Sequence, residues 1–142
     1  MLSNKARGFT LIELVIIIVI MAVLAAVAGP RLFSSTELNT RLTQDAVISQ
    51  IRGQQQAIMA GQTCRLQISD TQSQLLGDCF QEPYDFNGTT VELLNSNEFT
   101  LTFNEDGVPQ GACTGGCELT IQQTDAPTQT ICIESQGYAH GC

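Results

Sequence analysis

From residue 9 to residue 28 the chain is apolar at almost every position. Leu14 to Ala28 is fifteen residues without a charge, and only Thr10 and Glu13 interrupt the twenty from Phe9 to Ala28. That length suffices to cross a bilayer as a helix, which predicts a transmembrane span over 9–29. Gly29-Pro30 follows. Proline removes a backbone donor and crowds the preceding turn, so a kink or a locally opened helix is expected at Pro30. Beyond it the pattern turns amphipathic over 30–61. Leu38, Leu42, Val47, Ile48, Ile51 and Ile58 recur at helical spacing, with Asn39, Thr43, Gln44, Gln50 and Gln54 between them. Those apolar positions are read as one face turned toward a sheet. Gly53 weakens this helix, and Gly61 is placed to cap it.

From Gln62 to Cys142 the period shortens to two. Strands are expected at Cys64–Ser69, Gln74–Phe80, Val91–Leu94, Phe99–Phe103, Glu118–Gln123 and Gln129–Glu134. Phe99, Leu101 and Phe103 share one face of their strand, as do Leu119 with Ile121 and Ile131 with Ile133. Asn104-Glu105-Asp106-Gly107 supplies turn chemistry, and the segment from Gln81 to Asn97, with Pro83, Asn87-Gly88 and Asn95, reads as rich in loops. The fold class is α+β. A long N-terminal helix, transmembrane in its N-half and amphipathic in its C-half, packs on an antiparallel β-domain over 62–142.

Cysteine content sharpens this picture. With the apolar run set aside, the 142-residue chain leaves a core of modest size. Cys64, Cys79, Cys113, Cys117, Cys132 and Cys142 all follow that run, an even number suited to disulfides in an oxidising compartment. Sequence alone does not choose among the possible pairings. Local considerations favour Cys64 with Cys79 on neighbouring strands, Cys113 with Cys117 around a glycine-containing loop, and Cys132 with Cys142. Zinc fits poorly, because His140 is the only histidine and no second close cysteine pair exists. Glu105 and Asp106 in one turn fall short of the roughly six to eight oxygens that calcium takes. No metal and no cofactor is expected.

Charge adds an exclusion. The net charge is −8, and every Lys and Arg lies at or before Arg65, whereas eleven acidic residues follow Leu66. Such a domain repels phosphate backbones and lacks the counterion-release drive of nucleic-acid binding. Catalysis is argued against as well. A serine or cysteine hydrolase would need His140 as its base, and His140 stands two residues from Cys142, while the carboxylates are scattered over strands and turns.

The N-terminus admits two plain readings, a secretory signal peptide with Ala26-Val27-Ala28 as its cleavage site behind Lys5 and Arg7, or a simple anchor. Both leave Glu13 unexplained, since a carboxylate inside an apolar run is costly and marks a function or a partner. The stretch Gly8-Phe9-Thr10-Leu11-Ile12-Glu13-Leu14 resembles the class IVa prepilin signature of the type IV pilin and pseudopilin family. That resemblance implies a leader over residues 1–8, removed by prepilin peptidase between Gly8 and Phe9, with N-methylation of Phe9 by the same enzyme. It assigns Glu13 and Phe9 to pairing between adjacent subunits during assembly, and Pro30 to the segment that melts in assembled filaments.

Within the family, Leu101 to Gly107 and the two late strands ending near Gly137-Tyr138 resemble the H-type pseudopilin and FimT-like group. The leader length, Gly29-Pro30-Arg31 and the cysteine content are similar to those of minor pilins of mannose-sensitive haemagglutinin pili. These likenesses imply a β-sandwich on the helix and a minor pilin rather than the major subunit. The implied partners are prepilin peptidase/methyltransferase, other major and minor pilins, and the inner membrane. The chain would cross that membrane once with its C-terminal domain in the periplasm, then pass into a pilus outside the cell. Two alternatives stand beside this, an H-type pseudopilin of type II secretion and a binding module at a pilus tip.

Overall fold

The computed structural model describes the backbone of residues 9–32 and 35–142, and the side chains of 9–26 and 35–142. The chain divides into two compact units, Met1–Ser34 and Ser35–Cys142. The first holds helix α1, Leu11–Leu32. Every described side chain from Phe9 to Ala26 is exposed, so this apolar helix has no core of its own. Among the described residues no helix is long and apolar enough to cross a membrane. The expected span over 9–29 runs into residues whose side chains lie outside the described set.

Helix α1 runs through Gly29-Pro30 to Leu32, so the opening expected at Pro30 is not seen in the single chain. A helix can pass a proline at the cost of one backbone hydrogen bond and some strain. The long helix expected over 9–29 and 30–61 crosses residues 33 and 34, which lie outside the described residues.

The second unit opens with α2, Ser35–Met59. Its buried face comprises Thr40, Thr43, Val47, Ile48, Gln50, Ile51, Gln54 and Ile58. This corrects the expected face, because Leu38 and Leu42 are 56% and 49% exposed. Nine residues are about two and a half helical turns, so Leu38 and Leu42 stand opposite Val47 and Ile51. Three of the polar residues that replace them inside are hydrogen-bonded, although Gln54 Oε1 has no partner among the described residues. The Thr40 hydroxyl donates to the Glu37 carbonyl at 2.9 Å, the Ser73 hydroxyl donates to Gln50 Oε1, and Gln54 Nε2 donates to the Leu101 carbonyl at 2.9 Å. The helix ends in a Schellman motif. Gly61 takes a φ of 81° and donates to the Ile58 carbonyl at 2.9 Å, while Gln62 N–H reaches the Ala57 carbonyl at 3.0 Å.

Nine strands follow: β1 Cys64–Ile68, β2 Gln72–Gly77, β3 Tyr84–Asp85, β4 Thr90–Leu93, β5 Phe99–Phe103, β6 Pro109–Gln110, β7 Cys117–Gln122, β8 Gln129–Ile133 and β9 Ala139–Gly141. They form two antiparallel sheets, ordered β3-β2-β1-β5-β6 and β4-β7-β8-β9. Register follows the alternation in the sequence: Leu66 pairs with Leu101, and Leu119 pairs with both Leu93 and Ile131. Those residues, with Val47 and Ile51 of α2, belong to one buried cluster fed by both sheets. The β1–β5 ladder stops at Leu66–Leu101, and Gln54 reaches across the gap beyond it to the carbonyls of Cys64 and Leu101.

Three disulfides fasten this unit. Cys64 joins Cys79, Cys113 joins Cys117, and Cys132 joins Cys142. The first ties the start of β1 to the segment after β2, the second closes the loop into β7, and the third binds β8 to the residue after β9.

Candidate functional site

The residues that carry the N-terminal motif meet at the first turn of α1. Phe9 is exposed and precedes the helix, and Gly8 lies outside the described residues. Thr10 occupies the N-cap position and Glu13 the third helical position. The Glu13 backbone N–H donates to Thr10 Oγ1 at 3.3 Å, and Glu13 Oε2 accepts from the Thr10 backbone N–H at 3.1 Å and from its hydroxyl at 3.2 Å. Leu14 N–H closes the turn on the Thr10 carbonyl at 3.2 Å. This is a capping box: two donors that the helix start would leave orphaned are satisfied reciprocally. The carboxylate also lies near the positive end of the helix dipole.

The prepilin resemblance assigns Glu13 a partner in another subunit and passes over this local one. The signal for it is present in the sequence, because Thr-Leu-Ile-Glu ahead of an apolar run matches the capping-box pattern. Pro30, the third residue assigned to assembly, lies inside α1 with its side chain outside the described set. Lys5 and Arg7 also fall outside the described residues.

The β-domain gives catalysis little to work with. The ring nitrogens of His140 sit 3.0 Å from the Gly141 carbonyl and 3.1 Å from Glu134 Oε1, both acceptors, so the ring is held by a carboxylate and a carbonyl. Glu105 and Asp106 lie in a turn organised by Asn104, whose Oδ1 accepts from Asp106 N–H at 3.0 Å and Val108 N–H at 2.9 Å. Among the described residues no group of three or more His, Cys, Asp or Glu is arranged to hold a metal ion. Two acidic residues, Glu92 and Glu118, share the outer face of the four-stranded sheet, where Glu92 pairs across from Thr120 and Glu118 across from Cys132.

Residues 3–29 match the family model described as prokaryotic N-terminal methylation motif. The chain is also similar to the type IV narrow pilus major component PilA5 of Thermus thermophilus. The two are 44% identical over 48 residues, which is 34% of this chain and 41% of that protein. The chain therefore spans less than half the length of the curated relative it matches. No solved structure matches it. Both matches are partial: the methylation motif covers residues 3–29, and the similarity to the pilus component covers 48 residues.

Proposed function

We propose that this chain is a minor type IV prepilin, cut between Gly8 and Phe9 by prepilin peptidase, methylated on the new Phe9 amine by the same enzyme, and incorporated into or priming a pilus. The observation that carries this reading is the methylation motif over residues 3–29 on a helix whose described side chains are apolar nearly all round and exposed. A helix of that kind needs cover on every side. The inner membrane supplies it first, through the span over 9–29 with the disulfide-bonded domain in the periplasm, and packed helices of other pilins supply it afterwards. Opening of the backbone at Pro30 belongs to that second state.

The two sheets, whose inward side chains share one cluster with α2, are read as a β-sandwich mounted on the helix. The turn at Asn104–Gly107 and the two late strands β7 and β8, followed by Gly137-Tyr138, support the minor rather than the major role, by their likeness to the H-type and FimT-like group.

Capping and assembly make different demands on Glu13, and one substitution separates them. Glutamine can fill the third position of a capping box but carries no charge to offset the Phe9 amine of an adjacent subunit. Glu13→Gln should therefore leave the chain processed and helical at its N-terminus while lowering its recovery in sheared filaments at least tenfold. Normal recovery of Glu13→Gln, with loss confined to Glu13→Ala, would leave Glu13 a helix cap and remove the pairing role.

A further inference from the structure

The hairpin that closes the four-stranded sheet carries a group of interacting side chains apart from the N-terminal motif. His140, at the middle of edge strand β9, pairs across from Cys132 of β8. Its ring stacks on Tyr138 with centroids 5.2 Å apart and planes inclined at 27°. The Arg52 guanidinium of α2 lies 5.8 Å over the Tyr138 ring and donates to the Ala139 carbonyl at 2.9 Å. Across the turn, Glu134 Oε1 stands 3.1 Å from His140 Nε2, and the Gly141 carbonyl stands 3.0 Å from Nδ1.

Both ring nitrogens thus face groups that only accept. A neutral imidazole has a single N–H and can satisfy one of them, whereas the imidazolium satisfies both. We propose that residues 134–142 form a pH-responsive latch, in which protonated His140 bonds Glu134 across the turn and holds the C-terminal strand shut, and neutral His140 lets the turn and the Tyr138 stack loosen. The disulfide Cys132–Cys142 and the Glu134 N–H to Tyr138 carbonyl bond, at 2.9 Å, confine the loosening to this loop.

The charged and titratable groups around the ring set the direction. The Gly141 carbonyl and then Glu134 raise the pKa of His140 above the usual histidine value of 6.5, against burial and the Arg52 charge, which lower it. Glu118 lies further off on the same sheet face, beyond Cys132. A raised folded-state value means that the fastening is fully present below 6.5 and is lost as pH climbs through the folded value. The latch therefore closes toward mild acid and opens toward alkaline pH.

A ring-proton titration of His140 by NMR, on the full chain in nonionic micelles, reads this directly alongside the amide protection factors of residues 138–142. His140 should titrate with a midpoint above 6.5, and protection in the hairpin should step down at least threefold across that midpoint. Glu134→Gln should move the midpoint down toward 6.5, Arg52→Gln should move it up, and His140→Gln should abolish the step while the other amides of the sheet keep their protection. A midpoint at or below 6.5 in the unaltered chain, or protection that shows no step there, would overturn the latch. Neither result touches processing at Gly8-Phe9, which is read separately by mass.

Discussion

At the scale of single residues, the most conspicuous conformation is at the turn after β4. Leu94 and Asn95 take φ values of 52° and 64°, while Leu93 and Ser96 exchange both backbone hydrogen bonds at 2.8 and 2.9 Å. Left-handed backbone suits asparagine, but in leucine the Cβ crowds the following carbonyl at roughly 1–2 kcal/mol. The Leu94 side chain is 77% exposed, so packing offers little to offset that strain. Leu94→Asn should stabilise the domain by about 1 kcal/mol, seen as an upward shift in a thermal melt of the oxidised protein. A lower melting temperature would mean that the leucine makes a contact the fold depends on. The sequence pattern places Leu94 at the end of a strand, Val91–Leu94, inside a loop-rich region, whereas β4 ends at Leu93, because nothing in Leu-Asn announces two consecutive left-handed residues. The Thr10–Glu13 cap was fully legible, yet the more specific likeness of the surrounding motif drew Glu13 toward a distant partner.

Among the elements, α2 shows where counting apolar residues misleads. Leu38 and Leu42 keep helical spacing with each other, but they are out of phase with Val47, Ile51 and Ile58. The residues that fill the true inner face at that level are Thr40, Thr43, Gln50 and Gln54, whose polar groups mostly answer carbonyls or hydroxyls of the sheets and of the helix itself. Buried polar groups with good partners are invisible to a hydrophobic pattern. The strands fared differently: those with clean alternation, such as Phe99–Phe103 and Glu118–Gln123, read close to their observed bounds. The strands β3, β6 and β9, of two or three residues, carry too little periodicity to be seen. On the proposed pilin reading, the outward leucines of α2 are surfaces for neighbouring subunits. Leu38→Gln with Leu42→Gln should leave the domain's melting temperature within about 2 °C, as expected of exposed positions away from the core, while reducing incorporation into filaments. A marked loss of stability in the double variant would show that these leucines serve the fold.

For the molecule as a whole, the two units answer to different environments, and their compositions separate sharply. Apolar residues dominate the first, whose described side chains have no core to enter. The second spends its apolar residues on one cluster, adds three disulfides, and leaves an acidic surface with no Lys or Arg beyond Arg65. The α+β class was therefore readable from pattern, and the methylation motif from seven residues at the N-terminus, while the His140 hairpin depends on contacts between residues that only the register of β8 and β9 brings together. The pilin reading requires the apolar helix to stay on the mature protein after its leader is cut away. Intact mass and N-terminal sequencing of membrane-bound protein, from cells with and without prepilin peptidase, decide whether it does. A chain beginning at methylated Phe9 is expected only where the peptidase is present; a chain beginning after Ala28 would contradict this and leave an ordinary secreted, disulfide-bonded domain.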